Sequence, residues 1–321
     1  MKNTGGENFI PLARPLAPGV TRVGLNDPTF SDLAGVLTGV KPVTYTDCAR
    51  ENIPQLKELC AKLKLKCQPL EDLIAKPIHH LIEGKKVFLL GRDTRTIKAA
   101  AAAWNTAKNN AQWAGILGYP ECCIDMHWKW LSASGRGDDL VKMAFHNTRE
   151  TARLDFKLNN VFNYSSRLVS SNPRDRTNYL KFMDFNKANN YLSKHVIGWN
   201  PCSYNCPASS RKAAVIFAFM QHHAPGYAAE LTEALAKPVL FWDKFEYAVL
   251  NGQVTEGEIN FKGVAWPRSL LDIKTYRRIS MCDTIISSPA KAEFYRGDAP
   301  FFPVPSSAAV LLNFVENTGR K

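Results

Sequence analysis

This sequence predicts an α/β protein: a small, mostly parallel sheet with covering helices, then a helical middle region and a C-terminal β-hairpin region. Three observations carry the expectation. Strand-like and helix-like patterns alternate up to about residue 118, as in sheets covered by helices. The run Lys86-Val87-Phe88-Leu89-Leu90-Gly91 is continuously apolar, which suits a strand buried on both faces and hence a parallel sheet. Asn251-Gly252, flanked by apolar segments, is a strong hairpin signal.

Residues 1–20, rich in Gly, Pro and Asn, read as an irregular arm ahead of an α/β region over 21–118. Lys41 to Thr46 reads as a strand. Ile53, Leu56, Leu59, Leu63 and Leu65 recur at helical spacing between Glu51 and Leu65. Lys66 to Leu70 is a second strand candidate, and after Gly91 a helix capped by Thr94 is expected to run to about Asn109. The span 119–236 reads as helical, with helices from Pro120 to Leu131, from Asp139 to Asn160, and after Pro207. The last of these carries Val215, Ile216, Phe217, Phe219 and Met220, a broad apolar face that predicts a central, buried helix. Over 237–321, an α+β region, strand patterns flank Asn251-Gly252, and Ala308 to Val315 is expected to dock as a helix. All four regions are expected to pack as one compact unit.

With 321 residues, 45% hydrophobic and 22% charged, the chain has the composition of a globular protein large enough for a sizeable core. No apolar run approaches the roughly 20 residues that cross a bilayer, and the first thirty lack a signal peptide's apolar stretch. A cytoplasmic protein with no membrane partner is the expectation. The net charge of +12 points to an anionic partner. The basic residues are scattered in small groups without an RNA-binding signature, so a small anionic substrate is favoured over nucleic acid. Arg92 and Arg95 follow the best strand, where α/β sheets bind ligands, and are the candidates to hold it.

The chemistry concentrates in two cysteine pairs, Gly118-Tyr119-Pro120-Glu121-Cys122-Cys123 and Pro201-Cys202-Ser203-Tyr204-Asn205-Cys206-Pro207. Each stands where a helix should begin, because proline suits the opening helical position. Free N–H groups and the positive end of the dipole favour anions there and so favour thiolate, the form that binds metals and attacks electrophiles. Eight cysteines are too few for a disulfide scaffold in a chain this long, and Cys48, Cys60, Cys67 and Cys282, which stand singly, are expected to be buried and inert.

The paired phrases, ending in Cys206-Pro207-Ala208-Ser209, resemble a family of uncharacterised prokaryotic proteins with a Gly-Tyr-Pro-x-Cys-Cys motif followed by Pro-Cys-Ser-x-x-Cys-x-x-Ser. The resemblance spans about Val87 to Met220 and implies no assigned activity. Where relatives carry His just before Pro-Cys-Ser, this chain has Trp199 and Asn200, with His195 the nearest histidine.

Four readings of the thiols stand at this level. An iron–sulfur cluster on Cys122, Cys123, Cys202 and Cys206 is preferred, although the spacing is not that of a ferredoxin. The radical S-adenosylmethionine spacing fails because Ser209 stands where a third Cys belongs. Tetrahedral zinc on the same residues is the alternative cofactor; Cys123 and His127, at i and i+4, make a Cys–His–Cys–Cys variant of it. A metal-free thiol centre that resolves through a disulfide is the third, and thiols that merely pack under helix ends the fourth. The preferred function is redox or sulfur-transfer chemistry, served by an electron or sulfur donor protein, with Tyr119, Asp125, His127 and Ser203 as the nearest proton-exchanging groups. The competing function is a structural zinc module that contacts nucleic acid. Gly135-Arg136-Gly137-Asp138-Asp139 reads as a helix-connecting turn, and His222-His223 as cations at a helix end.

Overall fold

A computed structural model describes residues 9–25, 28–74, 84–104, 110–134, 143–144, 147–148, 154–164, 193–241, 247–255, 258–266, 273–287, 291–305 and 310–316. The chain divides into two compact units.

The first unit comprises Met1–Ser132, Val196–Trp199 and Pro207–Glu230. Strands β1 (Phe9–Pro11) and β2 (Arg22–Gly24) pair antiparallel near its start. Helix α1 (Phe30–Thr38) is capped by the Thr29 side chain, which accepts from Asp32 N–H, and ends at Gly39 in the left-handed conformation. Strands β3 (Val43–Ala49), β4 (Lys66–Pro69) and β5 (Lys85–Gly91) form a three-stranded sheet in the order β3-β5-β4. Helix α2 (Ile53–Lys62) carries the chain from β3 to β4, which flank β5 on either side. Helix α3 (Thr94–Trp104) packs Ile97, Ala100 and Ala101 against Val43, Val87 and Leu89, and α4 (Asn110–Ile116) leads into the buried Leu117. Helix α5 (Glu121–Ser134) follows. Helix α6 (Pro207–His223) packs on α1, with the Phe30 ring 6.4 Å from Phe219. The next helix, α7 (Pro225–Leu235), belongs to this unit as far as Glu230.

The second unit comprises Ala133–His195, Asn200–Cys206 and Leu231–Lys321. Its sheet has eight strands in the order β12-β11-β10-β9-β8-β7-β13-β6. They are β6 (Leu154–Asp155), β7 (Pro238–Phe241), β8 (Tyr247–Thr255), β9 (Glu258–Trp266), β10 (Thr284–Ser287), β11 (Lys291–Arg296), β12 (Ala299–Pro305) and β13 (Val310–Val315). Strands β7 to β12 meander, and β13 returns to pair with β7. Ile259 and Phe261 of β9 point into the core while Asn260 and Lys262 face out, the alternation of a sheet covered on one face. Helix α8 (Ile273–Ser280) adds Ile279 to that core beside Leu250, Ile285 and Phe294.

These pairings overturn the expected small, mostly parallel sheet. Both pairings of β5 are antiparallel, and in the larger sheet only β13–β6 is parallel among the described residues. The apolar run on β5 reports a central strand, and a central strand has the same burial whichever way its neighbours run. Asn251-Gly252 is also not the hairpin turn; it lies inside β8 at a register shift against β9. A Cβ on Gly252 would collide with the Asn260 carbonyl oxygen, so the glycine serves close backbone approach at a bulge.

The predicted C-terminal helix is instead strand β13. The predicted helix over Asp139–Asn160 lies largely outside the described residues, and Leu154–Asp155 within it is strand. The turn at Gly135–Asp139 lies outside the described residues as well. Helix α6 buries one face through Ser209, Ala213, Ile216, Phe217 and Met220, while Val215 is exposed, so its apolar content overstated its burial. Among the described residues no helix is long and apolar enough to cross a membrane.

Candidate metal centre

The first motif is set by the glycine that opens it. Gly118 has φ +81°, and a Cβ there would stand 2.5 Å from the Val40 carbonyl oxygen. Only glycine fits both the conformation and the space. From that turn the chain enters α5 with Pro120 immediately before the first helical residue, and the N–H groups of Cys123 and Ile124 donate to Pro120 O at 2.9 and 3.1 Å. Cys122 and Cys123 therefore stand in the first turn, Cys122 exposed and Cys123 buried.

The second motif is a loop, residues 200–206, followed directly by Pro207 at the start of α6. Within the second unit its backbone is held at several points. Asn147 Nδ2 donates to Cys202 O at 3.1 Å, Tyr204 N–H donates to Thr148 Oγ1 at 3.0 Å, and Asn160 Nδ2 donates to Asn200 Oδ1 at 2.7 Å. The Tyr204 ring meets Phe314 edge-on at 5.1 Å, and full burial pushes its phenol far above the ordinary value. The Cys206 N–H closes a turn onto Ser203 O at 3.1 Å.

The sulfurs of Cys122, Cys123, Cys202 and Cys206 all lie within 4.8 Å of one another. Cys122 and Cys123, neighbours in the chain, have their sulfurs 4.0 Å apart. Cys123 and Cys206 are buried, Cys202 is half-buried and Cys122 is exposed. Four thiols this close, with their chain segments fixed by backbone turns, form a group able to hold a metal ion.

The remaining residues singled out in the sequence are placed variously. Tyr119 packs its ring 5.6 Å from Trp199 and donates to Gly198 O at 3.4 Å. Asp125 is exposed, and neither it nor His127, whose ring lies beside Trp128, belongs to the metal-binding group. Ser203 is buried and lends its carbonyl to the turn at Cys206. Arg92 is exposed and donates to Leu37 O. Arg95, also exposed, lines a cavity of about 560 Å³ with Pro42, Thr96 and Ile116. Asp93, not Thr94, caps α3: it accepts from Thr96 N–H at 2.7 Å and Thr96 Oγ1 at 2.8 Å, bonds that hold its carboxyl below the ordinary value. At the far end of α6 the Arg14 guanidinium lies against His222 and lowers its pKa.

Three residues to which the sequence analysis gave no site role lie close to the first motif. Ser209, fully buried on α6, has its Oγ 3.2 Å from Cys123 Sγ and 3.0 Å from Trp199 Nε1. Lys212, one turn further on, donates to Gly118 O at 2.7 Å, and burial lowers its pKa. Lys41 is buried, paired with Asp32 and bonded to Thr44 Oγ1 at 3.2 Å, beneath the Tyr119 ring. The signal for Ser209 was its place at the end of the second motif; nothing local marks Lys41. No known protein family, curated protein or solved structure matches this chain.

Proposed function

We propose that this chain is a metal–thiolate enzyme, in which Cys122, Cys123, Cys202 and Cys206 hold one tetrahedral ion and Cys122 carries the chemistry. The mutual sulfur distance carries the reading. Four thiolates about 2.3 Å from one zinc stand about 3.8 Å apart, close to the 4.0 Å between Cys122 and Cys123 and within the 4.8 Å that spans the group. Zinc fits such a closed set of sulfurs, having no geometric demand beyond the tetrahedron. The difference in burial supports a division of labour. Cys123 and Cys206 anchor from within, while exposed Cys122 is the sulfur a substrate can reach. A bound zinc would keep that sulfur deprotonated at neutral pH, which is how metal coordination activates a nucleophile.

The substrate in this reading is a small anion, supported by the net charge of +12. The chain would then sit with the family its paired motifs resemble. An iron–sulfur cluster working in redox or sulfur transfer, with an electron or sulfur donor protein, is the second reading. The all-cysteine donor set favours it, since such clusters use thiolates throughout. Its weakness is spacing, because cysteines bound to different irons diverge from the cluster centre.

Elemental analysis with a visible spectrum, on protein purified without oxygen, separates these readings. One zinc per chain and no colour is the expected result. Iron with acid-labile sulfide and broad visible absorption would replace it with the cluster reading. Protein that neither retains nor takes up any metal would sink both. A colourless zinc protein without chemistry at Cys122, whose nucleic-acid binding falls steeply with salt, would favour the structural module.

A further inference from the structure

We infer that Ser209, oriented by Trp199, is a positioning residue that hydrogen-bonds the Cys123 sulfur and fixes it as a metal ligand. The inference rests on the metal–thiolate reading above and adds how one of its ligands is held. All three residues lie in the first unit, on three separate stretches of chain. Trp199 Nε1–H can only donate, so across their 3.0 Å contact the Ser209 oxygen accepts. The hydroxyl keeps one proton to give. Cys123 Sγ stands 3.2 Å away, and a metal-bound thiolate has no proton of its own, so in the loaded site that bond runs from Ser209 to Cys123. The direction of both bonds follows from chemistry at each atom.

Burial makes the arrangement rigid. Ser209 is 0% exposed, Trp199 2% and Cys123 3%. The indole is itself held, with its ring against Tyr119 and the neighbouring Gly198 carbonyl accepting from Tyr119. Accepting from the indole polarises the serine hydroxyl and strengthens what it donates onward. Groups that bond a ligating atom in this way orient it and tune the metal. The buried Cys123 is thereby an anchored ligand, opposite in character to the exposed Cys122.

Cobalt titration of metal-free protein, wild type against Ser209→Ala and Trp199→Phe, tests this. Both changes are expected to leave one cobalt per chain. Ser209→Ala should weaken binding in chelator competition by about 10- to 100-fold. It should also move the sulfur-to-cobalt charge-transfer band to longer wavelength, because the sulfur lone pair loses its hydrogen bond. Trp199→Phe keeps an aromatic ring and removes the donor; its shift should have the same sign and be smaller. A purely structural role for Ser209 would lower thermal stability and leave the band in place, and that result overturns the inference while the metal centre stands. If Ser209→Ala fails to fold, Trp199→Phe decides by the band alone. Wild-type protein that binds no cobalt would remove the metal–thiolate reading itself, and the inference with it.

Discussion

Thiols gather in two regions of this chain, and where they stand on helix ends those ends are opposite. In the three-stranded sheet, Cys60 lies in the last turn of α2, where free carbonyls and the negative end of the dipole disfavour an anion. Its hydrogen bond with Cys67, its burial and the nearby Cys48 push its thiol far above the ordinary value. In the paired motifs, Cys122 and Cys123 lie in the first turn of α5 and Cys206 precedes α6, where free N–H groups favour an anion. Among the described residues, the second set brings four sulfurs within 4.8 Å of one another, a group able to hold a metal ion. In that set close sulfurs coincide with a backbone that favours thiolate; around Cys60 the sulfur held below its ordinary value is Cys67, through its hydrogen bond with Cys60.

The largest contrast is in metal content. Cys206→Ser and Cys123→Ser should abolish bound metal after desalting, whereas Cys60→Ser should retain it and lose only stability. Equal metal in all three would erase the distinction between the regions. Next in size is the backbone that delivers the first motif. Gly118→Ala forces a positive φ and a clash with Val40 O, and should cost about 2 kcal/mol or more in denaturant unfolding. Gly226→Ala, where the added Cβ meets nothing within 4 Å, should be neutral or stabilising by about 0.5 kcal/mol. Similar losses at both glycines would contradict the strained-turn account.

A smaller effect concerns a buried thiol outside the motifs. Burial pushes Cys282 up to about 11. The folded protein then holds this proton more tightly than the unfolded chain, so the stability it supplies is full below the unfolded thiol's pKa and fades as pH rises through the folded one. Thermal unfolding of Cys282→Ala should consequently show a shallower loss between about pH 9 and pH 11 than wild type. Parallel curves would mean that the thiol titrates alike in both states. The smallest effect tests helix-end polarity without cysteine. Asp93 caps α3 with a lowered pKa, so Asp93→Ala should lower the melting temperature slightly at neutral pH. Because the carboxyl is depressed in the folded state, its contribution should vanish as pH falls through that folded value. A gap that persists in acid would assign the loss to something other than the charge.

How much of this was legible in the sequence depends on whether the signal was local. Strands β3, β4 and β5 and helices α2, α3, α5 and α6 follow from periodicity and proline placement, which act within a few residues. Strand direction did not, because β5 pairs with two strands that both precede it in sequence and burial is blind to orientation. Asn251-Gly252 misled because glycine marks a bulge as readily as a turn, and only the Asn260 backbone across the ladder distinguishes them. Cys122, Cys123 and Cys206 of the candidate metal centre were legible at helix starts, and Cys202 by its place in the second motif. Ser209 and Trp199, ten residues apart, gain their relation to Cys123 only through packing.

X-ray absorption at the metal edge of the purified protein tests the central claim most directly. One ion on Cys122, Cys123, Cys202 and Cys206 predicts a single shell of four sulfurs at about 2.3 Å with no metal neighbour. Nitrogen or oxygen in that shell, or a second metal beyond it, would contradict a single ion held by these four sulfurs.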